Sequence, residues 1–406
     1  MSAPPVVLVT PITPADRGNG LAMRAGMFLE ALAAATTVDV VIVPVAGAAT
    51  TDEWARERAR RVTTVEPVRE GDADRHVVLQ MADPVLRAQL ERTAPLPEQA
   101  RRVPPTLLDD AVDAFQPASG PCPPVVVSMR YYLAPFGITL ARKLGASRTI
   151  IDLDDDDESW LTETGRTEKA DAVGRLVRAW LGSVDAVTLA SAIDAERVAR
   201  RHELSCVATV PNTVQPPRVV TPAPGGSRVL YLGNLTYGPN VDAARTLALE
   251  VLPALRALRP DASVDLVGPH DDRCADLAHV EGVTVTGAVP DVTPWYAAAD
   301  VVVLPLRSGS GTRIKVLEAF AHRRPVIASP SAAAGLDVQD GVDLLVASSI
   351  DAIVRATADV LARPERAAQL TSAAFDTFSA HYAPDVVAPI IRRTVFGDQI
   401  PVEGKS

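Results

Sequence analysis

Two cations and a carboxylate follow a glycine-rich loop in the C-terminal half of the chain. The loop, residues 309–311 (Gly-Ser-Gly), ends an apolar run, and Arg313, Lys315 and Glu318 belong to the helical pattern behind it. The amino end of a helix carries about half a positive charge, so each cation there costs roughly 0.3–1 kcal/mol unless an anion compensates it. A diphosphate held by the loop N–H groups would supply that anion, and Glu318, one turn further on, could accept hydrogen bonds from two ribose hydroxyls.

The alternative is an ordinary surface pair beside a tight turn. Lys315 and Glu318 are three residues apart, and such a pair stabilises a helix by about 0.2–0.5 kcal/mol. Because this alternative leaves the unfavourable position of Arg313 and Lys315 unexplained, the pattern favours a bound nucleotide diphosphate.

A run of acids offers a second group of candidate residues. The stretch DLDDDDES, residues 152–159, ends a strand-like pattern. Clustered carboxylates suit a hard divalent cation, but consecutive side chains point in different directions. We expect no metal here, but a loop in which Asp154 or Asp155 contacts a sugar while the later acids are solvated. Arg130 and Tyr131, which follow another strand-like run, are weaker candidates for acceptor contacts.

The stretch Gly18-Asn19-Gly20 opens the first helical pattern. A dinucleotide fingerprint needs a third glycine, where this chain has Met23, and a shorter loop after the strand. A dinucleotide-dependent oxidoreductase therefore has little support. The stretch is either a turn with a helix cap or a backbone wall that faces a donor diphosphate, and Arg24 behind it is expected to be a surface residue.

The bulk composition limits the classes of function. The chain has 406 residues, 47% of them hydrophobic and 22% charged, which suits two domains with aliphatic cores. A net charge of −10 argues against a nucleic-acid partner. Three scattered cysteines without metal-ligand spacing fit a reducing compartment. Neither a signal sequence nor an apolar stretch long enough to span a membrane is evident, so we expect a cytoplasmic protein, with peripheral membrane contact left open.

Strand and helix patterns alternate along most of the chain, which predicts α/β architecture with two doubly wound parallel sheets. Strands are expected at 6–10, 38–45, 124–129, 149–154, 228–234, 262–268, 283–287, 300–306, 324–329 and 343–347. The segment 51–120 is more charged and irregular. A proline-rich stretch at 211–227 separates two similar halves, which implies a cleft between them with ligands at the carboxyl ends of the strands.

The residues 308–347 resemble the donor-binding region of family 4 glycosyltransferases, which adopt the GT-B fold. The resemblance extends to 230–244, 285–306 and the first helical pattern at 18–33, and the acidic run is similar to one branch of the family. It implies a domain organisation that we adopt as an expectation: an acceptor-binding Rossmann-like domain at 1–215, a linker at 216–227, a nucleotide-sugar-binding Rossmann-like domain at 228–380, and a segment 381–406 that could cross back to the first domain.

The resemblance also implies roles for individual residues. Glu318 matches the second glutamate of the Glu-x7-Glu motif, which holds the donor ribose, whereas the first glutamate is replaced by Ser310. The donor-binding residues expected on this basis are Gly309, Ser310, Gly311, Thr312, Glu318, Gly18, Asn19, Gly20, Asn234, Val289, Gly335 and Leu336. Arg313, Lys315 and Asp154 are the expected catalytic residues.

The function expected from residues and resemblance together is transfer of a sugar from a nucleotide-diphosphate-sugar co-substrate, with retention and without a metal or other cofactor. The acceptor is a small molecule, a lipid-linked sugar or a glycan, which the sequence does not distinguish. Two alternatives stay open. A nucleotide-sugar epimerase shares the fold, and a degenerate, non-catalytic sugar-nucleotide-binding protein would explain the serine at position 310.

Overall fold

The computed structural model describes residues 3–44, 53–65, 122–308 and 313–397. The chain divides into two compact units, one formed by Met1–Asn212 with Val387–Ser406 and the other by Thr213–Val386. Each unit is built on its own parallel sheet. In the described ranges, no helix is both long and apolar enough to cross a membrane.

The first unit contains a seven-stranded parallel sheet in the order β3-β2-β1-β4-β5-β6-β7. Its strands are β1 (Val6–Thr10), β2 (Val38–Ile42), β3 (Arg61–Thr64), β4 (Val125–Met129), β5 (Arg148–Asp154), β6 (Ala186–Leu189) and β7 (Val207–Thr209). Its helices are α1 (Gly20–Ala33), α2 (Glu53–Arg58), α3 (Ala134–Lys143), α4 (Asp157–Glu163), α5 (Thr167–Trp180) and α6 (Ala192–His202), with a 3-10 turn at Leu181–Ser183.

The valine-rich strands of this sheet are buried on both faces. Alternate residues of β1 enter two different core clusters, Val7 and Val9 on one face and Val6 and Leu8 on the other. A parallel sheet covered by helices on both sides requires such continuous apolar runs, because neither face is solvated. The central strands therefore form a rigid support for the loops at their carboxyl ends.

The second unit contains a six-stranded parallel sheet in the order β10-β9-β8-β11-β12-β13. Its strands are β8 (Arg228–Leu232), β9 (Ser263–Val267), β10 (Val283–Thr286), β11 (Val301–Leu304), β12 (Val326–Ala328) and β13 (Leu345–Val346). Its helices are α7 (Gly238–Thr246), which continues through a π-helical turn (Leu247–Val251) into α8 (Leu252–Arg256), then α9 (Asp272–Ala275) with a 3-10 turn (Asp276–His279), α10 (Thr293–Ala298), α11 (Ile314–Ala321), α12 (Pro330–Ala333), α13 (Ile350–Ala362) and α14 (Pro364–His381).

The last helix, α15 (Pro384–Phe396), ends in the first unit. Its residues Val387, Ile391, Val395 and Phe396 are buried in the cluster that also contains Val6 and Leu8 of β1. Burial of this apolar stripe fixes α15 to the first sheet.

The strand order of each sheet reverses at one point. In the first sheet this point lies between β1 and β4, and in the second it lies between β8 and β11. Because every pairing is parallel, the loops that follow these strands emerge at the same edge of their sheet, where doubly wound folds bind ligands. The predicted fold class, two doubly wound parallel-sheet halves, is confirmed.

Candidate functional site

The amino end of α11 lies beside the switch point of the second sheet. Arg313 immediately precedes the helix and Lys315 lies in its first turn. The side chain of Lys315 reaches the residue that follows β8: a Cβ placed on Gly233 would lie 2.6 Å from Lys315 Cε and 3.2 Å from Nζ. The lysine thus extends from the end of β11 to the end of β8, across the point where the strand order reverses.

Lys315 is a cation partly withdrawn from water. Burial lowers the pKa of Lys315 to about 8, and repulsion by Arg313 adds to this while the attraction of Glu318 opposes it without cancelling it. A bound anion acts in the opposite direction, since a nearby negative charge favours the charged form of the amine. The charged Lys315 amine is therefore more stable with an anion bound beside it than in the empty site.

Glu318 lies on the same side of α11, one turn beyond Lys315, and is half-buried. Its Oε2 accepts a hydrogen bond of 3.1 Å from the hydroxyl of Tyr296 in α10. Burial raises the pKa of Glu318 to about 7, although the Tyr296 hydrogen bond and the attraction of Lys315 lower it. A carboxylate in this setting gains from further donors, such as sugar hydroxyls, because they favour its ionised form.

The other residues predicted in this unit lie at the same edge of the sheet. Asn234 follows β8, Val289 follows β10, and Gly335 with Leu336 follows β12 and α12. The Asn234 side chain is used locally, since its Oδ1 accepts a hydrogen bond of 3.0 Å from the N–H of Thr236.

The predicted loop residues Gly309, Ser310, Gly311 and Thr312 lie outside the described residues. The structure places the helix behind the loop, with Arg313, Lys315 and Glu318.

In the first unit, Gly18-Asn19-Gly20 forms the turn that begins α1. Asn19 Oδ1 caps the helix by accepting a hydrogen bond of 2.8 Å from the N–H of Leu21. Gly18 has a φ of +94°, a conformation that favours glycine. The cap and the turn account for these three residues locally, and contact with a donor remains a proposal.

Arg24 is buried in the first unit, so the expectation of a surface residue was wrong. Its guanidinium donates to both oxygens of Asp152, at 2.7 Å from Nε and 2.6 Å from Nη2. Nη1 also donates to the carbonyl of Val210 and to Asn212 Oδ1. This arginine therefore connects α1 to the carboxyl ends of β5 and β7.

Asp154 and Asp155 follow the anchored Asp152 after one intervening residue, Leu153. Asp154 has a φ of +67°, an unusual conformation for a residue other than glycine, and the pairing of β5 with β6 shifts register at this point. Asp154 Oδ1 lies 3.3 Å from Nε of the buried Arg24, whereas Oδ1 of Asp155 is buried and has no hydrogen-bond partner within the described chain. Burial raises the pKa of both carboxyls, against the attraction of Arg24 and Arg130. Irregular backbone with buried carboxylates at a strand end is typical of a functional site.

The later acids of the run are not solvated, and that expectation was wrong. Asp156 is bound by both terminal nitrogens of Arg201, at 2.7 and 2.8 Å. The two carboxylate oxygens of Asp157, Oδ1 and Oδ2, accept hydrogen bonds from Nη2 of Arg130, at 2.9 and 2.8 Å. In the part of the chain that the structure describes, no group of three or more histidines, cysteines or acids is arranged to hold a metal.

Arg130 and Tyr131 lie where they were predicted, after β4, but both are already engaged. Arg130 also donates to the carbonyl of Leu153 at 2.9 Å. Tyr131 is buried and packs edge-on against Tyr132, with ring centroids 5.1 Å apart. Contact of either residue with an acceptor stays a prediction.

Two residues of the candidate site were missed. Gly233 had a detectable signal, because a glycine directly after an apolar strand often marks a close approach of another group. Tyr296 had none, since its contact with Glu318 joins residues 22 positions apart and exists only after folding.

Comparison with known proteins supports a glycosyltransferase fold. Residues 226–363 match the family model described as glycosyl transferases group 1. The chain is 34% identical over 140 residues to a GDP-mannose-dependent alpha-(1-6)-phosphatidylinositol monomannoside mannosyltransferase from Mycolicibacterium smegmatis. That match covers 30% of this chain and 37% of the relative.

Solved structures resemble the chain over nearly its whole length. Sucrose-phosphate synthase from Thermosynechococcus elongatus has a TM-score of 0.68 at 19% identity, covering 96% of this chain and 98% of that one. HepE from Anabaena, in complex with UDP and glucose, has a TM-score of 0.66 at 12% identity, covering 96% and 99%. The chain therefore has the GT-B fold of these glycosyltransferases.

Proposed function

We propose that this chain, whose residues 226–363 match the glycosyl transferases group 1 family, transfers a sugar from a nucleoside diphosphate sugar to an acceptor bound by its first unit. The observation that carries the proposal is the arrangement at the start of α11. A partly buried cation, Lys315, and a partly buried carboxylate, Glu318, lie one turn apart at a helix amino end beside a switch point. The cation suits the diphosphate of a nucleoside diphosphate, and the carboxylate suits its ribose hydroxyls.

Lys315 and Arg313 are proposed to bind the donor diphosphate together with the amino end of α11. Glu318 is proposed to accept hydrogen bonds from the ribose hydroxyls. When the glycosidic bond to the diphosphate breaks, negative charge grows on the leaving oxygen. Cations and a helix end placed in advance stabilise that charge. Because they can meet the charge, the reaction is proposed to proceed without a metal, and with retention as the family resemblance implies.

The acceptor is proposed to bind at the carboxyl edge of the first sheet. There Asp155 has a buried Oδ1 without a hydrogen-bond partner among the described residues, and Asp154 Oδ1 lies 3.3 Å from Nε of Arg24. Acceptor hydroxyls are the matching donors. Arg24 holds the end of β5 in place through Asp152, and this fixes the position of Asp154. We propose Asp154 as the residue nearest the acceptor. The partial relative acts on a phosphatidylinositol mannoside, which makes a lipid-linked glycoside the first acceptor to test.

The proposal is tested by following nucleoside diphosphate release from GDP-mannose, UDP-glucose and UDP-N-acetylglucosamine. Each donor is incubated with and without vesicles that contain phosphatidylinositol mannoside, and with simple soluble glycosides. We expect one sugar nucleotide to be consumed only when an acceptor is present. In Lys315→Met the rate of nucleoside diphosphate release should fall at least a hundredfold, as when one hydrogen-bonding group that stabilises a transition state is removed. Conversion of the sugar nucleotide without any acceptor would instead indicate an epimerase.

A further inference from the structure

Tyr296 is held in one orientation by three separate contacts. Its ring stacks on His322, with centroids 4.3 Å apart and planes 11° apart. Its carbonyl accepts a hydrogen bond of 2.5 Å from Nε of the buried Arg324. Its hydroxyl donates to Glu318 Oε2 at 3.1 Å, and the residue is 1% exposed. A tyrosine fixed in this way presents its hydroxyl at a defined point.

That point determines which way the Glu318 carboxylate faces. One oxygen, Oε2, is engaged by Tyr296, and this fixes the plane of the carboxylate relative to α11. A ribose offers two neighbouring hydroxyls, and a carboxylate accepts both only when its plane faces them. A freely rotating glutamate would lose side-chain entropy on binding, whereas an oriented one has already lost it on folding.

We propose that Tyr296 is a positioning residue: by orienting Glu318 it makes the site select nucleotides that carry both ribose hydroxyls over their 2′-deoxy forms. This inference rests on the proposed function, in which Glu318 binds the donor ribose. It adds a residue outside the binding helix and a specificity that depends on it.

The competing explanation is structural. A buried tyrosine hydroxyl needs an acceptor, and Glu318 could serve only as that acceptor. Under this explanation, loss of the hydroxyl lowers stability and weakens all ligands alike. A positioning role instead weakens only the ligands that use the ribose hydroxyls, and leaves inorganic pyrophosphate unaffected because it contacts the cations alone.

The pH dependence of binding separates the two explanations further. The Tyr296 hydrogen bond lowers the pKa of Glu318, against the larger effect of burial, which raises it to about 7. Loss of the hydroxyl therefore raises the pKa of Glu318 further, and ribose-dependent binding should be lost at a higher pH as the solution is acidified. Two other titratable groups, His322 and Lys315, lie near Glu318. Burial and Arg324 lower the pKa of His322 to about 4, and burial lowers the pKa of Lys315 to about 8. Between pH 6 and 7, His322 therefore stays mostly neutral and Lys315 mostly charged, so neither group accounts for a change in binding there.

The test compares Tyr296→Phe with wild type and with Tyr231→Phe. Tyr231 is the matched control, because it is fully buried in the same unit but donates its hydroxyl to Asn240, at 3.0 Å. Calorimetric titrations between pH 6 and 8.5 use UDP, GDP, their 2′-deoxy analogues and inorganic pyrophosphate. Glu318→Asp, which retracts the carboxylate by one methylene, serves as a second variant if Tyr296→Phe does not fold.

We expect wild type and Tyr231→Phe to prefer the ribonucleotide by about tenfold or more, the value of one hydrogen bond to a charged group. In Tyr296→Phe that ratio should approach one, with pyrophosphate affinity unchanged and the acid limb moved to higher pH. An unchanged ratio, or a parallel loss of pyrophosphate affinity, overturns the positioning role. Wild type that binds nucleotides without preferring ribose also overturns it but leaves the donor site standing, whereas wild type that binds neither nucleotide nor pyrophosphate removes the proposed function itself.

Discussion

Replacing Lys315 with methionine is expected to stabilise the second unit and to weaken diphosphate binding. A lysine pKa lowered from 10.5 to about 8 corresponds to a cost of about 3 kcal/mol for keeping the ammonium charged in the folded state. That cost already includes the attraction between Lys315 and Glu318, and fitting a methionine in place of the lysine can cost up to about 1.5 kcal/mol, so the net gain should be about 1–3 kcal/mol. For a unit of this size, that is a rise in melting temperature of about 3–8 °C.

The gain should depend on pH in a defined direction. Because the folded pKa of Lys315 lies below its unfolded value, the cost is fully present below about pH 8 and disappears as the pH rises towards 10.5. Thermal unfolding is therefore measured at pH 7.0 and pH 9.5 for wild type, for Lys315→Met and for Lys169→Met. Lys169 is an exposed lysine of α5 and serves as the matched control.

We expect Lys315→Met to exceed wild type at pH 7.0, to approach it at pH 9.5, and to bind pyrophosphate at least tenfold more weakly, a difference of about 1.4 kcal/mol. A variant that melts below wild type at pH 7.0, or gains equally at both pH values, would refute the electrostatic reasoning. A stabilised variant that still binds pyrophosphate normally would show that the cation has another purpose.

Two further substitutions test the supports of the two candidate sites. Gly233→Ala should weaken pyrophosphate binding about tenfold, with little change in melting temperature. The new methyl group would lie 2.6 Å from Cε of Lys315, so the flexible end of the lysine must move and its ammonium is displaced. Unchanged affinity for pyrophosphate would contradict this close approach. Arg24→Leu should lower the free energy of unfolding by about 3–5 kcal/mol, since it leaves the buried Asp152 without its cation. Chemical denaturation against Arg200→Leu, whose parent side chain is 72% exposed, measures this, and a loss below about 1 kcal/mol would contradict it.

The fold could be predicted where the strands are buried on both faces. Strands such as β1 and β4 contain runs of four and three apolar residues, nearly all valine, and short runs rich in β-branched residues favour a buried strand over a helix. The strands β3, β6 and β7 were missed. β3 and β7 are the edges of the sheet, where partial exposure weakens the apolar signal.

The candidate sites were predictable only as far as local sequence determines them. The sequence identified Lys315 and Glu318, because a cation at a helix start is locally unfavourable and so calls for an explanation. It could not identify the partner of Arg24, since Asp152 is 128 residues away and is brought near only by the sheet. A signal did exist, because α1 is apolar on nearly all sides, and a charged residue within such a helix must be paired inside the core.

The measurement that tests the central claim most directly is calorimetric titration of wild type and Glu318→Ala with UDP, GDP, ADP, dTDP and NAD. We predict selective binding of one nucleoside diphosphate that carries both ribose hydroxyls, weaker binding of dTDP, no binding of NAD, and an affinity at least tenfold weaker in Glu318→Ala, about 1.4 kcal/mol. Failure of every nucleoside diphosphate to bind wild type, or binding that is indifferent to the loss of Glu318, would contradict the claim.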